Sequence, residues 1–282
     1  MDFASLFPDL KPWVQSLSTI WPAPFIKSSS WIFPLILVTH LLAIVTLGGA
    51  ILLPGLRLMG VGMTSVSPSA VEKSVRPWLW GALAVLAVTG LLMGLVNPMK
   101  LYGRPAFLVK VIALVPALIL SLGVVRSVAS RDGIVTQNAR IMAAIALAIW
   151  LAAIFIFGTS YGAAPGTFHI VCAGWLIVMA LGSRMTRIIL GAITAVAVVG
   201  FGIVTYVVYN PLDDYDIVME IDRWTLRLGA LLVAGFALWE FARKREAQPA
   251  TPPLSRLIGL LTILAWFTVA AAGRWIGLGT SG

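Results

Sequence analysis

The sequence predicts an all-α integral membrane protein of about eight transmembrane helices, arranged as two parallel four-helix repeats with both termini outside. Composition is the first observation: 60% of the 282 residues are hydrophobic and 11% are charged, whereas a soluble domain carries roughly 25% charged residues. The second observation is that the apolar residues form long runs, and about 20 such residues cross the hydrocarbon core. Because backbone groups in lipid must pair within their own segment, and these runs lack the period-two alternation of a membrane β-strand, we expect helices.

Eight segments are long and apolar enough to span a bilayer. They are 31–53, 78–97, 106–128, 141–158, 165–183, 188–209, 224–242 and 257–277. Ahead of them, Trp13, Leu17 and Trp21 recur at helical spacing, and there is no signal-peptide pattern. Tryptophan prefers the membrane–water interface, so this start of the chain is expected to form a short interfacial helix on the outer side.

The distribution of lysine and arginine predicts the orientation. One set of loops holds twelve of them: Arg57, Lys73, Arg76, Arg126, Arg131, Arg140, Arg184, Arg187, Arg243, Lys244, Arg245 and Arg256. The opposite set holds six: Lys11, Lys27, Lys100, Arg104, Arg223 and Arg274. Cytoplasmic loops carry the excess of basic residues, so the richer set is expected inside and both termini outside. The net charge of +9 is then mostly a topology signal, and no nucleic-acid partner is expected.

An internal repeat organises the chain. GALAVLAVTG at 81–90 resembles GAITAVAVVG at 191–200, and each run leads to an Asn-Pro pair. Four spans per repeat is an even number, so the two halves are expected to be parallel and related by an axis along the membrane normal. The predicted division is an outer interfacial segment at 1–30, repeat one at 31–162 and repeat two at 163–282.

Ionisable residues inside the spans are the candidates for function, because burying them in lipid is costly. His40 lies roughly 13 Å into the first span at ~1.5 Å per residue. Lys110, His169 and Arg227 lie about one turn inside the outer ends of their spans, and Arg274 lies near the outer end of the last. These groups gather in the outer half of the bundle, and the inner half is expected to hold almost no polar side chains.

Each candidate also has a purely structural interpretation. Lys110, Arg227 and Arg274 could extend their charges to the outer headgroups on long aliphatic stems. His169 could be an ordinary interfacial residue. His40 could be a buried histidine that is satisfied by a neighbouring helix.

The cofactor hypothesis begins with the two histidines, one in each repeat. Imidazole is a good axial ligand of haem iron, so His40 and His169 are predicted as metal ligands of a b-type haem. Lys110 and Arg227 occupy matching places in the repeats and could pair with the propionates, or Lys110 could itself be the second ligand. Arg274 completes the set of candidate cofactor-binding residues.

Two segments carry a resemblance to known families. HLLAIVTLGGAILLPGLRL, which begins at His40, and RPAFLVK, which ends at Lys110, are similar to the first and third helices of HemJ-type protoporphyrinogen oxidases. The whole pattern looks like a large uncharacterised bacterial four-helix membrane family, and CopD-type copper-resistance proteins resemble it more distantly. The resemblance implies a b-type haem at His40, accompanied by Lys110. This chain is duplicated and lacks further polar residues of the HemJ third helix, which points away from protoporphyrinogen oxidation.

The expected function is therefore electron transfer: a membrane haem b subunit linking an outer-side, periplasmic redox partner to the quinone pool of the bacterial cytoplasmic membrane. Quinone is the second expected cofactor, and the subunit is expected to be a carrier or anchor without catalytic residues of its own. One alternative is CopD-like copper transport, with His40, His169, Met93 and Met99 as the outer-side candidates for ligands. Another is a cofactor-free scaffold for a larger complex. The expected partners are the bilayer and protein subunits on the outer side.

Overall fold

The computed structural model describes residues 1–160, 171, 174–176, 178–179, 182–207, 224, 228–229, 231–233, 235–236, 239 and 252–278. Within these ranges the regular secondary structure is helical and contains no strand, so the all-α prediction is confirmed there. The long helices are α1 (Ile32–Leu58), α2 (Pro68–Val96), α3 (Pro105–Leu118), α4 (Gln137–Ser160), α5 (Arg184–Val207) and α6 (Pro253–Leu278).

Five stretches of the described chain are long and apolar enough to cross a membrane. They are Ile32–Leu58, Pro68–Val96, Pro105–Ala129, Gln137–Phe157 and Leu254–Ile276. They identify an integral membrane protein. Helix α5 covers most of the sixth predicted span, whereas the fifth and seventh predicted spans fall mainly on residues outside the described ranges. The count of eight spans, the repeat relationship and the outside termini stay predictions.

Helix α2 begins ten residues before the predicted span at 78. Ser67 caps it, because the Ser67 side chain accepts a hydrogen bond from the Ala70 backbone N–H at 3.2 Å. Pro68 occupies the first turn, where a missing N–H costs nothing. The early start places Glu72 and Arg76 inside the helix, not in the loop to which the charge pattern had assigned Arg76.

The third membrane helix changes its winding part-way along. Helix α3 runs into a π-helical segment, Ile119–Val125, and ends in the short helix Arg126–Ala129. Pro116, near the end of α3, lacks the N–H that an α-helical ladder would use at that position. π-helical turns are rare and occur frequently at functional sites.

The chain forms two compact units. The first contains Met1–Ile156 and Ala250–Gly282, and the second contains Phe157–Pro249. In the first unit, α6 packs along α1 and α3. Indole hydrogen bonds hold it there: Trp150 of α4 donates to the Thr268 hydroxyl at 2.9 Å, and Trp266 donates to the Ser121 hydroxyl at 2.6 Å.

The second unit has its own small core. In the described part of this unit, Val178, Leu190 and Val233 form a cluster of buried residues. Trp175 donates a hydrogen bond to the Thr194 hydroxyl at 2.8 Å.

Helices α1 and α6 come into close contact at a pair of glycines. A Cβ placed on Gly259 would lie 2.5 Å from the Gly55 carbonyl oxygen, and a Cβ on Gly55 would lie 3.0 Å from the Ile263 side chain. Small residues let membrane helices come into backbone contact. The glycine pair therefore fixes where α6 crosses α1.

The N-terminal segment forms short helices, Phe3–Leu6, Lys11–Ser16 and Ala23–Ser28, joined by 3-10 turns. Trp13 and Trp21 are exposed, whereas Ile26 is buried. The segment is attached to the bundle, because the Tyr102 hydroxyl donates to the Phe7 carbonyl. This exposure pattern is what an interfacial segment requires, and its position in a bilayer stays a prediction.

Candidate functional site

His40 lies in the first third of α1 and is 9% exposed. Its Nδ1 atom is 2.7 Å from the hydroxyl oxygen of Thr89, which lies near the end of α2. The two helices are antiparallel neighbours, so the early part of α1 faces the late part of α2. The deepest imidazole of the predicted set therefore has a polar partner on the adjacent helix.

The hydrogen bonds of Thr89 determine the tautomer of His40. The Thr89 hydroxyl donates its one hydrogen to the Val85 carbonyl at 2.6 Å, the i→i−4 bond that threonine commonly makes in a helix. With that hydrogen committed, the oxygen accepts from His40, and Nδ1 carries the ring hydrogen. Nε2 is then unprotonated and keeps its lone pair, and no residue in the described chain is hydrogen-bonded to it.

Lys110 lies in the second turn of α3, and its side chain passes over Gly273 of α6. The Nζ atom is 3.6 Å from the place where a Cβ at Gly273 would lie, and the Cε and Cδ atoms are nearly as close. The ammonium is near enough for its charge to act on the His40 imidazole. Among the described residues, none accepts a hydrogen bond from this ammonium.

Glycine also borders the imidazole directly. A Cβ on Gly90 would lie 3.6 Å from Cε1 of His40, which is an ordinary contact distance. We call His40, Thr89, Lys110 and Gly273, together with this glycine, the His40 site. It draws on α1, α2, α3 and α6.

The other predicted site residues have different outcomes. Arg274 is exposed and follows Gly273 on α6, as the headgroup-seeking interpretation of this residue expects. His169 and Arg227 lie outside the described residues, so their place relative to His40 is a prediction. Of the predicted set, the structure brings His40 and Lys110 to one region.

A second group of polar side chains lies toward the other end of the same helices. Glu72 is buried, and its carboxylate accepts from Arg76 through Nε at 2.9 Å and through Nη2. Both residues line a cavity together with Ser121 of the π-helix and Thr262 of α6. We call this the Glu72 cavity. The expectation that this half of the bundle lacks polar groups was wrong.

Sequence reasoning missed Thr89 and Glu72 for different reasons. Thr89 lies inside the apolar motif at 81–90 that is repeated at 191–200. The signal that could have identified Thr89 is the difference between the repeats, because the matching residue of the second motif is Val199, which has no hydroxyl. Glu72 belongs to a charged run, VEKSVRP, that is typical of a loop. Only the early start of α2 turns that run into a helical face that packs against other helices.

Comparison with known proteins adds one similarity. Residues 33–164 match a family described as a family of unknown function, DUF6644. The match covers just under half of the chain and includes His40, Thr89 and Lys110, but not α6. No curated protein and no solved structure matches the chain. The family match provides no link to HemJ-type or CopD-type proteins, so that resemblance stays a prediction.

Proposed function

We propose that this protein is a membrane b-type haem electron-transfer subunit in which His40 is an axial ligand. The subunit passes electrons between a redox partner on the outer side of a bacterial cytoplasmic membrane and the quinone pool. The single observation that carries the proposal is the chain of hydrogen bonds from His40 through Thr89 to the Val85 carbonyl.

The tautomer of His40 supports the proposal. A metal-binding histidine usually donates its second ring N–H to a fixed acceptor, which sets the ring orientation and leaves the ligating nitrogen free. Thr89 acts as that acceptor, so Nε2 has the lone pair that iron requires. A haem needs only one or two axial ligands from the protein, because the porphyrin supplies the others. A single oriented imidazole therefore fits a haem.

Lys110 supplies the charge that an anionic cofactor requires. Its ammonium lies within electrostatic range of His40 and has no hydrogen-bond acceptor in the described part of the chain. A haem propionate carries the complementary negative charge, and charge-assisted hydrogen bonds are among the strongest in proteins. When bound, the haem supplies one-electron redox chemistry. The protein holds it, orients the ligand and balances its charge.

The decisive experiment is a reduced-minus-oxidised absorption spectrum of the purified protein and of its His40→Ala variant. The wild-type protein is expected to show haem b bands, and the variant is expected to lose them while still inserting in the membrane. Thr39→Ala is the matched control: Thr39 is exposed, adjacent on α1, and bonded only to its own helix at Leu35. A wild-type protein without haem, or a His40→Ala variant with its full complement, would overturn the proposal in favour of a scaffold.

Two further variants distinguish the candidates for the second ligand. If the site lies between the repeats, His169→Ala abolishes the low-spin haem spectrum and Lys110→Met does not. If it lies within the first repeat, the opposite result is expected. Val199 at the position that matches Thr89 favours the second arrangement, because the second repeat lacks a hydroxyl there.

A further inference from the structure

Arg256 is a half-buried arginine in the first turn of α6. Its Nε atom is buried and has no hydrogen-bond partner in the part of the chain that the structure describes. Its guanidinium forms no ion pair there either. The residue as a whole still reaches the surface, from which an external acceptor can approach. Because a guanidinium keeps its charge in proteins and has five N–H donors, Arg256 carries a charge and donors for which the described chain provides no acceptor.

Two other half-buried arginines at the same end of the first unit are paired. Arg57 donates through Nε to the Val66 carbonyl at 2.6 Å. Arg76 donates through Nε and Nη2 to the Glu72 carboxylate. The corresponding Nε–H of Arg256 has left water without gaining such an acceptor, which costs free energy. Among these three arginines, Arg256 is therefore the one that needs an acceptor from elsewhere.

The end of the first unit where α1 ends and α6 begins is strongly positive. Its described basic residues are Arg57, Lys73, Arg76, Arg126, Arg131, Arg140 and Arg256, and its described acidic residues are Glu72 and Asp132. Seven positive charges against two negative ones give a net charge of +5. Both carboxylates are already engaged, Glu72 by Arg76 and Asp132 by the Ser69 backbone N–H. The acceptor for Arg256 is therefore not one of these carboxylates.

The level of Arg256 in the bilayer indicates the class of its partner. The membrane-crossing stretch of α6 is Leu254–Ile276, so Arg256 lies at its edge, where the phosphates of lipid headgroups lie. The next residue, Leu257, is 47% exposed and offers an apolar surface to acyl chains. A phospholipid presents groups in the same order, with a phosphate at the headgroup level and acyl chains beneath it.

The surroundings of Arg256 on α6 are held by packing. Gly259 follows it by three residues, and a Cβ at Gly259 would lie 3.1 Å from the Met59 side chain of α1. Ser255 is fully buried, and its hydroxyl donates to the Pro252 carbonyl at 2.8 Å. Binding at a rigid element loses less conformational entropy than binding at a loose one. Arg256 is therefore placed to bind a ligand without reordering the helix that carries it.

We propose that Arg256 binds the phosphate of an anionic phospholipid at the end of the bundle where α6 begins. The planar guanidinium donates to phosphate oxygens, as the guanidinium of Arg76 does to the Glu72 carboxylate. The excess of basic residues at this end favours a headgroup with a net negative charge over a zwitterionic one. This end is the one predicted to be cytoplasmic, the side on which basic pockets between membrane helices bind anionic headgroups. The proposal is independent of haem binding at His40.

Native mass spectrometry of the full-length protein, titrated with phosphatidylglycerol in detergent, measures the site. The wild-type protein is expected to bind its first phosphatidylglycerol more tightly than phosphatidylcholine. Arg256→Gln is expected to weaken that binding by at least about tenfold, the factor for losing a hydrogen bond between charged groups. Arg131→Gln is the matched control, because Arg131 is exposed at the same end and already donates to Ser127. It is expected to keep near wild-type binding.

A second variant and a second measurement separate the binding from misfolding. Arg256→Lys keeps the charge but lacks the planar fork that matches a phosphate, so it is expected to bind phosphatidylglycerol more weakly than the wild-type protein. Thermal unfolding is then compared in phosphatidylglycerol and in phosphatidylcholine. The extra stabilisation by phosphatidylglycerol is expected in the wild-type protein and in Arg131→Gln, and it is expected to disappear in Arg256→Gln.

Three results would count against the proposal. Equal losses of binding in Arg256→Gln and Arg131→Gln would show a diffuse attraction to the positive surface. Unchanged lipid binding in Arg256→Gln, with the same destabilisation in both lipids, would show that the acceptor of Arg256 lies within the protein. Stabilisation of the wild-type protein by inorganic phosphate to the same extent as by phosphatidylglycerol would identify a free anion as the ligand in place of a lipid.

Discussion

The hydroxyl of Thr89 connects the His40 imidazole to the backbone of α2. It accepts from Nδ1 and donates to the Val85 carbonyl, so a single side chain fixes both the orientation and the tautomer of the ring. A satisfied structural histidine would need only the first of these bonds. Because both bonds form, Nε2 keeps its lone pair and is available as a ligand atom.

Removing that hydroxyl is expected to weaken the cofactor without removing its ligand. Thr89→Val has the same shape but cannot accept from Nδ1, and loss of such an outer partner typically lowers metal affinity by about 10–100-fold. Thr89→Ser keeps the hydroxyl and is expected to retain near wild-type affinity. Haem titration of the three proteins measures the effect. Equal affinity in Thr89→Val and Thr89→Ser would show that Thr89 does not position the ligand.

A second residue-scale feature is the indole bond between Trp150 and Thr268. Both groups are buried, and the bond joins α4 to α6. Trp150→Phe is expected to cost about 0.6–2 kcal/mol of stability, the range for interhelical hydrogen bonds in membranes. Unfolding in a detergent series measures this cost. Trp80→Phe, on the exposed surface of α2, is the control and is expected to be nearly neutral.

At the scale of elements, the contact between α1 and α6 depends on the glycine pair. The short distance from a Cβ at Gly259 to the Gly55 carbonyl involves backbone on the far side, so no side-chain rotation can relieve it. The helices would have to separate. Since α6 carries Gly273, Thr262 and Trp266, its position affects both polar regions.

Gly259→Ala is therefore expected to displace α6 and to destabilise the bundle by about 1–3 kcal/mol, the usual cost of overpacking. Gly48→Ala is the matched control on α1, because a Cβ there meets no atom within 4 Å. Thermal unfolding of the two variants in the same detergent makes the comparison. Equal melting temperatures for Gly259→Ala and Gly48→Ala would indicate that α1 and α6 are not in close backbone contact in the protein.

At the scale of the whole molecule, the last helix packs along the first and the third membrane helices although it follows the second unit in sequence. Helix α6 thus completes the surroundings of Lys110 and the Glu72 cavity. The residues that match the known family end at 164, so this completion comes from outside the matched segment.

Orientation in the bilayer is also a property of the whole molecule. The twelve-to-six asymmetry of basic loop residues predicts that both ends of this sequence face outward. A reporter that is active only in the cytoplasm, fused after Gly282, is expected to be silent, and one that is active only outside is expected to give signal. Activity of the cytoplasmic reporter would show that the orientation is opposite to the predicted one.

The sequence by itself determined the class of fold, because long apolar runs with few charges leave a helical membrane protein as the stable solution. It also singled out His40 and Lys110, since ionisable residues are rare inside such runs. It could not identify Thr89 as the partner of His40, because the two are 49 residues apart and threonine is common in apolar helices. Pairing across helices depends on which faces meet, and helical periodicity alone leaves that open.

The tertiary structure decided the remaining features. The charged run at Glu72 has the composition of a loop, and only the packing of α1, α2, the π-helical segment and α6 makes it the wall of a cavity. The association of α6 with the first unit likewise depends on the contact between Gly55 and Gly259, a long-range approach of two backbones. Local composition determines which secondary structure and which environment each segment can adopt. Which segments meet depends on the fit between helix surfaces that are distant in sequence, and that fit exists only in the folded chain.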